Sequence, residues 1–243
     1  MSTQDLFRED AQLRECSATV LRVDADAVIL DRTVFYPLGG GQAGDAGELR
    51  LADGRVLRVL DTRKGEGGEI RHLIDPAQAE ALAALQPGQP LQARIDWARR
   101  FAHMRFHTAT HLLCALVAHP VDCCSITAGY ARLDFHTAEP LDKDALTAGL
   151  ARLVAAAHPV SHRWISEDEL DANPSLVRSM SVQPPRGLGR VRVIDVEGVD
   201  LQPCGGTHVA NTADIGPLLV TKIEKKSAMT RRVVLGFAPP VAG

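Results

Sequence analysis

Two residue pairs in this sequence have the types and the spacing of a metal site. His107 and His111 are four residues apart, so on a helix their imidazoles lie on one face. Cys204 and His208 have the same separation but enclose two glycines, which favours a turn. A thiolate and imidazoles in a roughly tetrahedral set are what zinc prefers. The sequence therefore predicts a helix and a turn that converge on one zinc ion.

The spacing leaves several alternatives open. A single histidine pair on a helix is more often solvated or packed than metal-bound, although a second pair in the same chain favours the metal. His103 extends the stripe of His107 and His111 by another four residues, so spacing does not decide which histidines bind. Zinc proteases carry a glutamate directly after the first histidine as general base, whereas this chain has Thr108. A peptidase is therefore disfavoured, and the motifs contain no evident general base.

A second segment that could form a functional site is rich in glycine. Its sequence is Thr33-Val-Phe-Tyr-Pro-Leu-Gly-Gly-Gly-Gln-Ala-Gly-Asp-Ala-Gly47. Its glycines allow positive φ angles and let a ligand approach the backbone closely. The segment lacks the lysine and the serine or threonine of a phosphate-binding P-loop, so nucleotide hydrolysis has no support. Taken alone, a flexible turn is the simpler interpretation.

Alternating patterns and turn residues predict the elements that position these segments. Short strands separated by hairpin turns run up to Ile95 and indicate a small β-barrel or sandwich. A helical pattern follows from Trp97 to about Ala118, and later strands and a second helix complete an α+β region. We therefore expect a barrel-like domain with the glycine-rich motif over residues 1–96. The second domain, residues 97–243, would lay the long histidine helix against an antiparallel sheet.

Composition describes an ordinary globular protein. The chain has 243 residues, of which 45% are hydrophobic and 23% charged, and no apolar run approaches membrane-spanning length. Its first residues lack the features of a signal peptide, so we expect a cytoplasmic protein with no membrane and no obligate protein partner. Five cysteines do not resemble a secreted disulfide framework. Cys204 is expected to be a ligand and the other four to be small buried residues.

The formal net charge of −3 excludes a general nucleic-acid coat protein. Binding to RNA would need a local basic face. The candidates for such a face are three clusters: Arg99, Arg100 and Arg105; Arg186, Arg190 and Arg192; and Lys222, Lys225, Lys226, Arg231 and Arg232.

Three motifs occur together in this order: the glycine-rich segment of residues 33–47, His107-Thr-Ala-Thr-His-Leu-Leu113, and Cys204-Gly-Gly-Thr-His-Val209. Together, and with Arg231-Arg232 after them, they resemble the editing region of alanyl-tRNA synthetases and the free-standing AlaX editing proteins of medium length. The resemblance covers nearly the whole chain. The histidine and cysteine motifs are also similar to the editing domain of threonyl-tRNA synthetase.

The resemblance implies a zinc-dependent hydrolase that acts in trans on mischarged tRNA-Ala, removing serine and glycine and sparing alanine. By the matching positions, His107, His111, Cys204 and His208 would bind zinc, and His103 would serve packing or RNA contact. The pocket would be lined by Thr33, Gly40, Gly41 and Gln42. If all four ligands bind at once the zinc is saturated, as in structural sites, so one ligand would have to be loose, with His208 the candidate; otherwise the metal would orient the terminal adenosine. The alternative function is a zinc-stabilised RNA-binding module without turnover.

Overall fold

The protein is described by a computed structural model over residues 2–178 and 189–239. Arg186, one of the candidates for a basic face, lies outside these residues. The chain divides into two compact units. Unit 1 comprises Met1–Gly39 and Ala43–Phe101, and unit 2 comprises Gly40–Gln42 and Ala102–Gly243. Three residues of the glycine-rich segment therefore belong to the same unit as the histidine and cysteine motifs.

Unit 1 is built mainly from short strands. In chain order they are β1 (Gln4–Asp5), β2 (Glu15–Val23), β3 (Ala27–Leu30), β4 (Arg32–Thr33), β5 (Gly47–Leu51), β6 (Val56–Lys64), β7 (Ile70–Ile74), the helix α1 (Ala79–Ala83), and β8 (Pro90–Ile95). Six of the strands close into an antiparallel barrel in the order β2-β3-β7-β6-β5-β8. The predicted barrel is thus confirmed.

Alternation of apolar and polar residues explains the barrel. In β8, Leu91, Ala93 and Ile95 are buried, while the residues between them are exposed. Successive side chains of a strand point to opposite faces, so this pattern places one face inside. The buried apolar residues of the other barrel strands join the same core.

Helix α2, Trp97–Leu116, carries the histidine stripe. Asp96 caps its start, because the carboxylate accepts a hydrogen bond from the backbone N–H of Arg99 at 3.1 Å. The helix ends at Leu116, two residues before the predicted end at Ala118. The backbone N–H of Val117 still donates to the carbonyl of Leu113 at 2.9 Å, but that of His119 donates to the carbonyl of Val117 at 2.8 Å, so a tight turn replaces the last predicted residues of the helix.

The rest of unit 2 is mixed α and β. Its elements are β9 (Val121–Ile126), β10 (Ala131–His136), α3 (Lys143–Ala155), β11 (Val160–Ser166), α4 (Glu167–Ala172), β12 (Arg190–Val196), β13 (Asp200–Pro203), β14 (Leu218–Ser227) and β15 (Thr230–Phe237). A four-stranded antiparallel sheet has the order β14-β15-β10-β9, and a three-stranded one the order β11-β12-β13. The α+β class is confirmed. Within the described residues, no helix is long and apolar enough to cross a membrane.

Candidate metal centre

Helix α2 brings the first two predicted ligands to one place. His107 and His111 lie on the same face, with ring centroids 5.6 Å apart. Both are buried, and the apolar residues Met104, Phe106 and Leu112 anchor the helix in the core around them. Because the helix is fixed by packing, the two imidazoles have little freedom to move away from each other.

The loop after β13 supplies the second pair, and Arg192 on β12 holds that loop. Its guanidinium donates to the carbonyl oxygens of Cys204 and Gly206, both at 3.0 Å. The backbone N–H of Cys204 donates in turn to the carbonyl of Arg192 at 3.0 Å. Gly206 lies so close to His107 that a β-carbon there would overlap the imidazole ring. The loop conformation is therefore set by one buried arginine and by one position where only glycine fits.

The four ligand atoms form a compact group. The donor atoms of His107, His111, Cys204 and His208 all lie within 4.8 Å of one another. The Sγ of Cys204 is 3.4 Å from Nε2 of His107 and 3.3 Å from Nε2 of His208. With zinc bonds of about 2.0–2.1 Å to nitrogen and about 2.3 Å to sulfur, a tetrahedron has nitrogen–sulfur edges of about 3.5 Å. The donor types and the two sulfur–nitrogen distances of Cys204 thus fit a zinc-sized ion.

Neighbouring acceptors fix the tautomers of two histidines. Nδ1 of His107 donates to Oε1 of Gln42 at 2.8 Å. The same oxygen accepts the backbone N–H of Thr207 at 3.1 Å, so the amide orientation is determined. Nδ1 of His111 donates to the carboxylate of Asp200 at 2.8 Å. In both rings Nε2 is therefore the nitrogen left to coordinate a metal.

His208 has a weaker support. Its Nδ1 lies 3.2 Å from the hydroxyl of Thr108, which also accepts the backbone N–H of Val209 at 3.3 Å. Thr108, at the position of the protease glutamate, thus supports a histidine and has no group that could act as a general base at neutral pH. His103 is buried and does not belong to the ligand group.

The charges of the group suit metal binding. Burial raises the pKa of Cys204, but His107 and His208 outweigh it and hold this pKa well below its ordinary value. Burial, together with His107, keeps the pKa of His208 well below its ordinary value. Burial opposes the charged form of His111, yet hydrogen bonds to Asp200 and Cys204 raise its pKa to about 10. A thiolate is therefore present before a cation arrives, and binding would release the proton of His111.

Comparison with known proteins agrees with the three motifs. The family model "Threonyl and Alanyl tRNA synthetase second additional domain" matches residues 191–234, and the model "tRNA synthetases class II (A)" matches residues 6–99. The chain is 34% identical over 241 residues to the alanyl-tRNA editing protein AlaX-M of Methanosarcina acetivorans, covering 95% of this chain and 97% of the relative. For AlaX-M of Saccharolobus solfataricus the identity is 31% over 242 residues, covering 98% and 100%.

The chain belongs to the AlaX-M family of alanyl-tRNA editing proteins. A similar region exists in a larger protein: the alanine–tRNA ligase of Thermococcus kodakarensis is 33% identical over 242 residues, which are 96% of this chain and 25% of the ligase.

The glycine-rich motif of this AlaX-M chain contributes directly to the metal centre. Besides its two contacts to His107 and Thr207 through Oε1, Gln42 donates from Nε2 to the hydroxyl of Thr207 at 2.9 Å. Gly40 and Gly41 have φ angles of 57° and 83°, which favour glycine. The carbonyl of Gly41 accepts the backbone N–H of Ile126 at 2.8 Å. These three residues are therefore held in unit 2 by backbone and side-chain contacts.

Thr33, the other predicted pocket residue, lies in the barrel unit. Nδ1 of buried His72 faces the carbonyl oxygen of Val28 at 3.0 Å, so Nδ1 carries the proton and Nε2 is an acceptor. The hydroxyl of Thr33 donates to this Nε2 at 2.8 Å and accepts the N–H of Phe35 at 3.1 Å. Its one hydrogen is therefore used within the barrel, and any further partner of Thr33 must be a donor.

Three of the arginines proposed for a basic face are used inside the fold. Arg100 is fully buried and forms an ion pair with Asp45. Arg192 holds the cysteine loop, and buried Arg231 donates to main-chain carbonyls, that of Ala138 among them. Charge clustering in the sequence did not distinguish such structural arginines from surface ones.

The burial of some cysteines also differs from expectation, and one carboxylate at the site was not predicted. Of the four cysteines expected to be buried, Cys114 is buried, Cys16 and Cys124 are half-buried, and Cys123 is exposed. Asp200, which orients His111, was not predicted, because it lies outside the motifs and 89 residues from its partner. Arg192 was noticed only as a charge. A signal for Asp200 existed solely in its closeness to the Cys204 motif.

Proposed function

We propose that this chain is a zinc-dependent deacylase that hydrolyses the ester of mischarged tRNA-Ala, acting on Ser-tRNA-Ala and Gly-tRNA-Ala and sparing Ala-tRNA-Ala. The observation that supports it most is the convergence of His107, His111, Cys204 and His208 on one metal-sized space, in a chain that belongs to a family of alanyl-tRNA editing proteins. The domain arrangement that we propose is a barrel domain followed by an editing domain that contains the histidine helix.

A separate editing site is needed for a physical reason. A pocket shaped for the methyl group of alanine cannot strongly reject serine, which adds one hydroxyl, and cannot exclude smaller glycine by size. A site that hydrogen-bonds the serine hydroxyl discriminates in the opposite sense, because alanine would leave its polar group unpaired. Thr33 is our candidate for this group. Since it can only accept, the serine hydroxyl would donate to it.

The four ligands would hold zinc, which when bound supplies a Lewis acid near the ester. Gln42 and Asp200 orient His107 and His111 through Nδ1 at 2.8 Å each. His208 is the loosest ligand in our proposal, because its Nδ1 contact is longer, at 3.2 Å, and is made to a neutral hydroxyl. Gly40, Gly41 and Gln42 would form the pocket wall, with the second amide hydrogen of Gln42 directed to the substrate.

One observation favours a second candidate, a zinc-stabilised RNA-binding module without turnover. The group offers four protein donors, the number that fills the coordination sphere of a structural zinc ion. Under this alternative the metal would stabilise unit 2, and tRNA would bind without hydrolysis.

The experiment that separates them is the hydrolysis of Ser-tRNA-Ala beside Ala-tRNA-Ala by zinc-loaded protein, far below substrate concentration. We expect multiple turnovers on the seryl ester and at least about 100-fold slower loss of the alanyl ester, as a hydroxyl-binding site should give. Binding of uncharged tRNA with no hydrolysis of either ester would support the binding module instead. Inhibition by uncharged tRNA tests whether the enzyme recognises the tRNA or only a small ester.

A further inference from the structure

One face of the four-stranded sheet carries an aromatic ring and a cation with no evident structural role. Ala131, Leu133 and Phe135 of β10 are buried on the core side. Because side chains alternate along a strand, Arg132 points to the opposite side. Tyr130 stands two residues before it, in the turn that leads into β10, where its carbonyl accepts the backbone N–H of Thr127 at 2.9 Å. We call the surface formed by Ser125, Tyr130, Arg132 and Val234 the outer face. Tyr130 directly precedes β10, Arg132 lies on β10, and Val234 and Ser125 lie opposite Arg132 on β15 and β9.

Tyr130 is an exposed ring on a fixed backbone. Its side chain is 41% exposed. The hydroxyl of Thr127 donates to the carbonyl of Tyr130 at 3.1 Å and accepts the N–H groups of Gly129 and Tyr130 at 3.2 and 3.1 Å. The turn is thereby closed around Tyr130. An exposed aromatic side chain held in this way offers stacking area at a small entropic cost.

Arg132 is the uncompensated charge of the outer face. Its Nε is buried without a hydrogen-bond partner, and within residues 2–178 and 189–239 its guanidinium has no ion pair. The neighbouring acids are already neutralised: Arg232 binds Asp134 through two hydrogen bonds of 2.7 and 2.8 Å, and Lys222 pairs with Glu224. An unpaired buried donor is unfavourable, so an anion brought to Arg132 would be stabilised.

The backbone that carries the outer face is connected to the candidate metal centre within unit 2. Ile126 on β9 pairs with Ala131 on one side and bridges to Gln42 on the other. Gln42 reaches His107 at 2.8 Å. Two inter-strand spacings, about 10 Å, therefore separate the backbone of Ala131 from that of Gln42. A few unpaired nucleotides are long enough to span this distance.

We propose that the outer face binds the unpaired 3′ strand of tRNA, with a base stacked on Tyr130 and a backbone phosphate on Arg132. Proteins usually bind single strands by stacking bases on aromatic rings and by pairing backbone phosphates with arginines. A duplex would not serve, because its bases are already stacked on one another. The choice of tRNA as the partner rests on the proposed function, whereas the preference for a single-stranded polyanion rests on the outer face itself.

The test is the binding of uncharged tRNA-Ala to the zinc-loaded full chain, followed by fluorescence anisotropy at several salt concentrations. Tyr130→Leu and Arg132→Gln should each raise Kd about tenfold. Arg132→Gln should also lower the slope of log Kd against log salt by about 0.7, the value of one single-strand phosphate contact. Tyr130→Phe keeps the ring and should bind as the wild type does. Arg163→Gln is the matched control, since Arg163 is an exposed arginine on a strand of the other sheet, paired with Glu169.

Three results would overturn the proposal. The first is an unchanged Kd and salt slope in both variants. The second is an equal loss of affinity for an acceptor-stem duplex that lacks the 3′ overhang. The third is a change of oligomeric state at unchanged tRNA affinity, which would make the outer face an interface between copies of the chain. Zinc content and melting temperature verify folding, and Arg132→Met, which also removes the charge, replaces Arg132→Gln if the latter does not fold. Binding needs no turnover, so an inactive wild type with the expected binding losses would reject the proposed function and leave the outer face supported.

Discussion

At the scale of single residues, the histidines of the metal centre are defined by what lies behind them. Gln42 occupies Nδ1 of His107, and Asp200 occupies Nδ1 of His111. An amide oxygen and a carboxylate are obligate acceptors in these contacts, so Nδ1 carries a proton in each ring and Nε2 is the nitrogen that can coordinate a metal, in His111 after losing its proton. Spacing in the sequence indicated the ligands, but the orientation of their rings is decided by residues outside the histidine motif.

Cys204 gives the most direct test of the ligand set. We expect Cys204→Ala to reduce bound zinc from one ion per chain to below about 0.1 after dialysis, since the thiolate is the only anionic ligand of the four. Hydrolysis of Ser-tRNA-Ala should fall with it. Metal content by atomic absorption is the primary measurement. Cys123→Ala is the control, because Cys123 is an exposed cysteine outside the cluster; full zinc occupancy in both variants would contradict the assignment.

His72 makes a second residue-scale prediction, this time on stability. Burial lowers the pKa of this histidine to about 4, while its ordinary value is 6.5. The unfolded chain therefore binds a proton on His72 at a higher pH than the folded chain does. Stability from this source is fully present above pH 6.5 and is lost as the pH falls towards 4, by about 3 kcal/mol in total.

The measurement is the free energy of unfolding in urea between pH 7 and pH 4, for the wild type and for His72→Gln. Titrations elsewhere, including those of the metal centre, occur in both proteins and cancel in the difference. The wild type should lose more stability than the variant as the pH falls, with a difference in slope of up to about 1.4 kcal/mol per pH unit. Parallel profiles would show that His72 is not kept neutral by the barrel.

At the scale of elements, the short strand β13 contributes to both halves of the candidate metal centre. It leads into the loop of Cys204, and its first residue, Asp200, reaches His111 on helix α2. Gln202, two residues further, donates to the same carboxylate oxygen of Asp200 at 2.8 Å. One strand thus connects both halves of the ligand set.

Asp200 should accordingly control metal affinity without touching the metal. We expect Asp200→Ala to weaken zinc binding about 10- to 100-fold, as is usual when the partner of a ligating histidine is lost. Asp200→Asn should have a smaller effect, because its amide oxygen still accepts from His111. Competition with a chromophoric chelator measures the affinity. Asp195→Asn on the neighbouring strand β12 is the control, and equal affinity in all four proteins would refute this role.

The elements themselves were largely predictable, and the reasons are local. Helix α2 follows from its apolar periodicity, and β8 and β10 from strict alternation. The contacts that complete the site were not predictable. Gln42 and His107 are 65 residues apart, and Arg192 meets the loop through two carbonyl groups that no pattern encodes. The resemblance to a family selected four candidate ligands, a choice that spacing alone had left open because of His103, and the structure brings these four together.

At the scale of the whole molecule, the negative net charge must be compatible with binding to tRNA, which is also negatively charged. The chain carries −3 overall, and buried arginines such as Arg100 and Arg231 are paired internally. A weak field of this kind does not attract nucleic acid at long range. We therefore expect a small salt dependence of tRNA binding, produced by a few local contacts rather than by a broad basic surface.

Metal removal should affect the two compact units differently. All four ligands lie in unit 2, two on helix α2 and two on the loop after β13, nearly a hundred residues later in the chain. An ion that joins such distant segments stabilises the folded state by about 4 kcal/mol when free zinc is 1,000 times its dissociation constant. After chelation, amide hydrogen exchange should accelerate in residues 103–116 and 203–209 and stay unchanged in barrel strands β5 and β8. Added zinc should restore protection, whereas magnesium should not, because it prefers oxygen ligands. Equal acceleration in the barrel and the ligand segments would contradict this prediction. The metal would then stabilise the protein as a single cooperative unit rather than unit 2 alone.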